Sequence, residues 1–138
     1  MLKYIKSKGK KNSAVIWEKA PDIAIRAEKI LNKIKFPKSN RKNIFYYRSQ
    51  NSKAYARARI WGLSKIWQYA LEVPPSYIIE VISEKFDHLS NSQKDEVIIH
   101  EIAHIPKNFS GSLIPHFRKG KQKFTKKVDS LLNIVYKL

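Results

Sequence analysis

The 138 residues are 43% hydrophobic, with 28 Lys and Arg against 11 Asp and Glu and a formal net charge of +17, which suits one compact core and is too short for two ordinary domains. The absence of cysteine excludes a disulfide framework, a thiol nucleophile and any thiolate metal site, and leaves histidine and carboxylate as the strong ligands. No run of about 18 apolar residues could span a membrane, and the opening MLKYIKSKGKK lacks the apolar segment of a secretory signal, so the chain is expected to stay in the cytoplasm.

Taken in chain order, residues 1–12 read as a basic, mobile tail and 13–138 as a single domain. APDIAIRAEKILNKIK places Ile23, Ala27, Ile30, Leu31 and Ile34 at helical spacing with Pro21 in the first turn, predicting a helix over about 21–35. Phe36 and Pro37 end it, and PKSNRKN reads as a loop. IFYYRS and AYARARIWGL are aromatic and β-branched runs with partial alternation, which predicts two strands. SKIWQYAL reads as a short helix or a loop. After the break at Pro74 and Pro75, SYIIEVIS is a third strand.

The next helix, over about 90–105, has the clearest signals. Ser90 and Gln93 form an S-x-x-Q capping box, Val97, Ile98, Ile102 and Ile105 make an apolar stripe, and Pro106 stops it. A last amphipathic helix from about 116 carries Phe117, Phe124, Val128, Leu131 and Val135. The fold class expected is α+β, a small three-stranded sheet packed against the N-terminal helix, the 90–105 helix and the C-terminal helix.

Within the 90–105 helix, HEIAH sets His100 and His104 four residues apart, so both imidazoles leave one face and can bind one tetrahedral ion. Glu101 is offset from that pair, placed to reach a water beside the ion. Downstream of His104 the chain offers no glutamate, one aspartate, Asp129, and one histidine, His116. A third ligand from a downstream glutamate is therefore excluded. The H-E-x-x-H-x-x-G-x-x-H pattern with a methionine turn is excluded too, because Lys107 and Ser110 stand where it needs Gly and His, and Met1 is the only methionine. His116 remains as the third ligand. The turning loop IPKNFSGSLIP can carry the chain back over the helix to deliver it, and His116 is expected on the first turn of the C-terminal helix. His88 reads as a solvent-facing residue.

The stretch from Ala58 to His116, together with APDIAIRAEKI, resembles a metallopeptidase family found in archaea and phages. The hallmark of that family is an H-E-x-x-H helix followed by I-P-x-x-F-S-G and P-H. The resemblance covers roughly residues 20–117, and Ile105, Pro106, Phe109, Ser110, Gly111, Pro115 and His116 all fit the pattern. It implies a minimal zincin-like domain, similar in layout to SprT-like proteases, with metal ligands at His100, His104 and His116 and a general base at Glu101. The function expected is zinc-dependent hydrolysis of a protein or peptide with one zinc ion per chain, Glu101 taking a proton from the metal-activated water and passing it to the leaving amine. One strand of the sheet should receive the peptide along its edge, and Tyr46, Tyr47, Tyr55, Arg57 and Arg59 are candidates for stabilising the transition state.

Charge adds a second theme. No acid lies between Glu28 and Glu72 or between Glu101 and Asp129, while seven of the eleven acids fall from Glu72 to Glu101. Such segregation attracts polyanions, so non-specific nucleic acid is a partner to expect beside the peptide substrate. Two other classes stay open. One is a nucleic-acid-binding protein whose zinc site is structural, with Asp129 as fourth ligand. The other is a metal-dependent hydrolase acting on something other than a peptide.

Overall fold

A computed structural model describes residues 14–116 and 123–137, so the tail expected over 1–12 lies outside the described residues. The elements run β1 (Ile16–Lys19), α1 (Pro21–Lys33), α2 (Lys38–Arg41), β2 (Ile44–Gln50), β3 (Ala58–Gly62), α3 (Lys65–Leu71), β4 (Tyr77–Ile82), α4 (Ser83–Phe86), α5 (Asn91–Ala103) and α6 (Lys123–Tyr136). The architecture is α+β. The sheet has four strands, in the order β1-β2-β4-β3, and so departs from the three expected. The additional strand, β1, pairs antiparallel with the far side of β2 and is exposed at all four positions. It carries none of the apolar alternation by which a half-buried strand is recognised.

β2 and β4 run parallel at the centre, and β3 closes the other edge antiparallel to β4. Alternation divides the side chains between two faces. Ile44 and Tyr46 of β2, Tyr77, Ile79 and Val81 of β4, and Ala58 and Ile60 of β3 turn inward. There they join Ile23, Ala27, Ile30 and Leu31 of α1 and Ile98, Ile99 and Ile102 of α5 in one apolar core. α6 adds Val135 to it, with Leu131 and Leu132 packed alongside. The α1, α5 and α6 helices therefore share one face of the sheet.

Pro21 stands at the start of α1 with Asp22 in its first turn, an arrangement that suits both the missing proline N–H and the helix dipole. α1 is tied to α5 by Arg26, which meets the Asp95 carboxylate at 2.7 Å. α5 begins at the capping box read from the sequence: Ser90 Oγ accepts from the Gln93 amide at 3.2 Å, and Gln93 Oε1 accepts from the Ser90 amide at 3.0 Å. SKIWQYAL resolves as α3, ended by Glu72 in a left-handed conformation. No helix among the described residues is long and apolar enough to cross a membrane.

Candidate metal centre

α5 stops at Ala103, and His104 caps it. His100 lies one turn back on the same face, half-buried, while His104 is buried. Beyond Pro106 the chain doubles back, with Phe109 at φ 48° and Gly111 at φ 98°. Two left-handed residues so close together produce the reversal, and Gly111 adopts its angle without the steric cost a side chain would bring. The Ile114 amide then donates to the His104 carbonyl at 2.8 Å, and His104 Nδ1 donates to the Ile114 carbonyl at 2.5 Å. This reciprocal pair lays the segment along the end of α5 and brings His116 over the helix.

His116 sits in a bend after Pro115, and the described part of α6 begins only at Lys123. The expectation that His116 occupies the first turn of the last helix is corrected. The His104–Ile114 bonds tie the segment just before it to the end of α5, and α6 reaches the site from further along through Phe124. Phe117 of the expected helix stripe lies outside the described residues.

The Nε2 atom of His116 is 3.0 Å from Nε2 of His100 and 3.2 Å from Nε2 of His104. One ligand atom from each ring lies within 4.8 Å of the other two. A tetrahedral zinc with Zn–N bonds near 2.0–2.1 Å separates its nitrogens by about 3.3 Å, and the two spacings from His116 match that separation. The His104 Nδ1 bond fixes the tautomer that leaves Nε2 with its lone pair free, the usual arrangement of a metal-binding histidine. Burial, then the neighbouring His104 and His116, push His100 down to about 4. Burial likewise lowers His104, so both rings are neutral near pH 7, as ligands must be. Among the described residues no other group of His, Asp or Glu is assembled in this way. Asp129 is exposed on α6 and outside the cluster, and His88 is exposed in the turn after α4.

Glu101 is 7% exposed, and burial alone pushes its carboxyl up to about 8. It is not one of the clustered donors. The ring of Phe124 stacks on His104, with centroids 4.2 Å apart and planes at 22°, and meets His100 and His116 edge-on at 5.0 and 5.1 Å. Phe124 thus walls the three imidazoles. Its place in an apolar helical stripe marked it only as a core residue.

A second set of residues was not signalled by any motif and supports the loop from behind. The buried Tyr77 hydroxyl accepts from the Gly111 amide and donates to the Ser112 carbonyl, both at 2.8 Å. Gln68 Nε2 donates to the carbonyls of Leu63 and Ser110 at 2.7 and 2.9 Å. At the end of β3, a Cβ on Gly62 would fall 2.1 Å from the Gly111 carbonyl oxygen, so only glycine lets strand and loop meet.

Of the side chains considered for transition-state stabilisation, Arg59 is bonded to Glu80 at 2.8 Å and, with Tyr47, belongs to the sheet face away from α5. Tyr46 packs against the core, Tyr55 is 95% exposed, and Arg57 is exposed.

The family model described as putative phage metallopeptidase matches residues 15–130. No curated protein and no solved structure matches the chain.

Proposed function

The chain belongs to the putative phage metallopeptidase family, and from that premise we propose a zinc-dependent peptidase with His100, His104 and His116 as metal ligands and Glu101 as general base. The observation that carries the proposal is the convergence of three Nε2 atoms, two of the spacings being 3.0 and 3.2 Å, at the end of a helix that also carries a buried glutamate. Three imidazole ligands leave a fourth tetrahedral position open, as in catalytic zinc sites, whereas structural sites close with a fourth protein ligand. That favours catalysis over a structural zinc, since Asp129 stands outside the cluster.

When bound there, zinc supplies Lewis acidity toward a carbonyl and toward water. The protein supplies the rest. Glu101 accepts a proton at its carboxylate as water attacks the scissile carbonyl, and returns it to the leaving amine. Burial raises its proton affinity, while a cation held by the adjacent histidines pulls the other way. Between those opposed effects one carboxyl can both take and give a proton. Phe124 and the buried end of α5 restrict water around the reacting groups. β3 is the edge strand that packs against α5, so its free edge is the place for a substrate peptide to add as a further strand. Tyr77, Gln68 and Gly62 act as positioning residues, through the loop that carries His116.

The basic segments, with a net charge of +17, suit recruitment of this peptidase to nucleic acid without sequence preference. Hydrolysis is tested with Glu101→Gln, which keeps size and removes the base. Zinc content should stay at one ion per chain while cleavage of a denatured protein falls by at least about a hundredfold. Loss of zinc in that variant would make Glu101 a ligand and overturn the assignment of roles.

A further inference from the structure

Much of the sheet face opposite the helices is open, though Ser49 and Ile82 at one end of it are buried. Trp17 of β1, Phe45 and Tyr47 of β2, Ile78 of β4 and Trp61 of β3 line a shallow cavity of about 440 Å³ with Glu80 among them. Trp17, Phe45 and Trp61 are 56%, 46% and 48% exposed. An apolar patch of this kind on a strongly charged protein marks a contact surface. Its rings are also held in place. Glu80, 1% exposed, accepts from Trp61 Nε1 and Arg59 Nε at 2.8 Å each and from Trp17 Nε1 at 3.3 Å. Both indoles are thus pinned by their N–H edges, with their ring surfaces left toward solvent, and the Arg59 guanidinium lies 4.9 Å from the Trp61 ring centroid. Side chains fixed in this way lose little further freedom when something stacks on them.

Charge selects the occupant. β2 and β3 both fall in the acid-free run between Glu28 and Glu72, and Glu80, the carboxylate of this cavity, is paired with Arg59. Lys19, opposite Tyr47 in the register, brings another cation to the same face. A quaternary or methylated amine, the usual guest of an aromatic cage, would meet these cations and a net charge of +17. A second copy of the chain would meet the same repulsion. A polyanion that carries flat apolar rings satisfies both the rings and the charge. Trp17 and Trp61 stand on the two outermost strands and reach in to the same carboxylate, so their N–H edges meet over the middle of the sheet and the two rings offer stacking surface for one or two bases. The Glu80 oxygens are already bonded and the rings act through their faces, so stacking here asks nothing of a ribose 2′-hydroxyl.

We propose that this open face of the sheet is a stacking platform for the unpaired bases of single-stranded DNA, on the side of the molecule away from the three histidines. The proposal rests on recruitment to nucleic acid and is independent of peptide hydrolysis.

The test titrates the full chain with a fluorescein-labelled oligothymidine of roughly 12 nucleotides and with a duplex of equal length, read by anisotropy over a range of salt. The single strand should bind at least about tenfold more tightly than the duplex. Trp61→Ala should cost the single strand about tenfold and leave duplex binding and the salt slope unchanged. Phe45→Ala, which touches no bond of Glu80, should act in the same direction and guards against misfolding in the tryptophan variant. Neutralising Lys119, Lys121, Lys123 and Lys126 together should weaken both ligands and flatten the slope. Equal binding of strand and duplex, indifferent to Trp61 and Phe45, would overturn the platform and leave charge recruitment standing. No binding of either would overturn both. Tighter binding of the matching RNA would overturn the assignment to DNA, and capture of a trimethyl-lysine peptide with no oligonucleotide effect would assign the face to a cationic guest.

Discussion

Tyr77→Phe tests whether the loop behind His116 is held as the geometry implies. The substitution keeps the ring, which meets Phe109 edge-on at 4.9 Å, and removes only a hydroxyl that is 2.8 Å from both the Gly111 amide and the Ser112 carbonyl. Ser112 is exposed, so its carbonyl finds water. Gly111 is buried, and its N–H loses its partner without replacement. An unpaired buried donor costs about 1–3 kcal/mol, and at this chain length each kcal/mol moves the melting temperature by roughly 3–5 °C. Tyr77→Phe should therefore melt roughly 3–15 °C below wild type. Zinc affinity should fall less, by under about tenfold, because Gln68 and the reciprocal His104–Ile114 bonds still hold the loop, and affinity drops only by the fraction of molecules whose loop has let go. Thermal melts and competition with a chromophoric chelator measure the two effects. An unchanged melting temperature would refute the accounting, and so would loss of zinc as complete as in His116→Ala.

His104→Ala should cost more stability than His100→Ala, because it also removes the Ile114 bond and the Phe124 stack. Strong chelation should lower the melting temperature of the wild type and leave that of either variant unmoved, which paired melts with and without chelator would check. Acid should act through Glu80. Burial raises its carboxyl, but the bonds from Arg59 and Trp61 outweigh burial and hold it below the ordinary glutamate value. Its contribution is then fully present above the unfolded value and is lost as pH falls through the lower folded one. The stability gap between wild type and Glu80→Gln should accordingly be widest above about pH 5 and narrow below pH 4. A gap independent of pH in denaturant titrations would mean that the carboxylate charge is not what holds Arg59 and the two indoles.

What could be read from the sequence follows the range of the interactions concerned. α5 was legible because its signals are local: the Ser90–Gln93 box at one end, the isoleucine stripe within, Pro106 just beyond. α1 was legible for the same reason. β1 was not, since Ile16–Lys19 is a strand only through its pairing with β2 and buries no side chain. The ring of Phe124 over the histidines was hidden by its regular place in the α6 stripe, where a core residue and a site wall have the same spacing. The three histidines and Glu101 stood out because His100, Glu101 and His104 fall in one H-E-x-x-H spacing, and elimination left a single downstream histidine.

The loop between Pro106 and His116 shows how a short motif acquires geometry only from distant parts of the chain. Phe109 in a left-handed conformation places its ring against Phe36 and Tyr77, and burial of that ring offsets the backbone cost of a positive φ. Gly111 then turns the chain where Gly62 admits it, so the end of β3 and the loop meet backbone to backbone. Gln68 of α3 ties Leu63, just after β3, to Ser110. A displacement at the end of β3 must therefore move the loop as well, and with it the third histidine. β3 is also the edge proposed to receive the peptide, so strand and histidine are set by the same contacts. That coupling gives a reason for a glycine at both points of closest approach: a Cβ at either one would push the strand that aligns the substrate away from the loop that completes the ligand set.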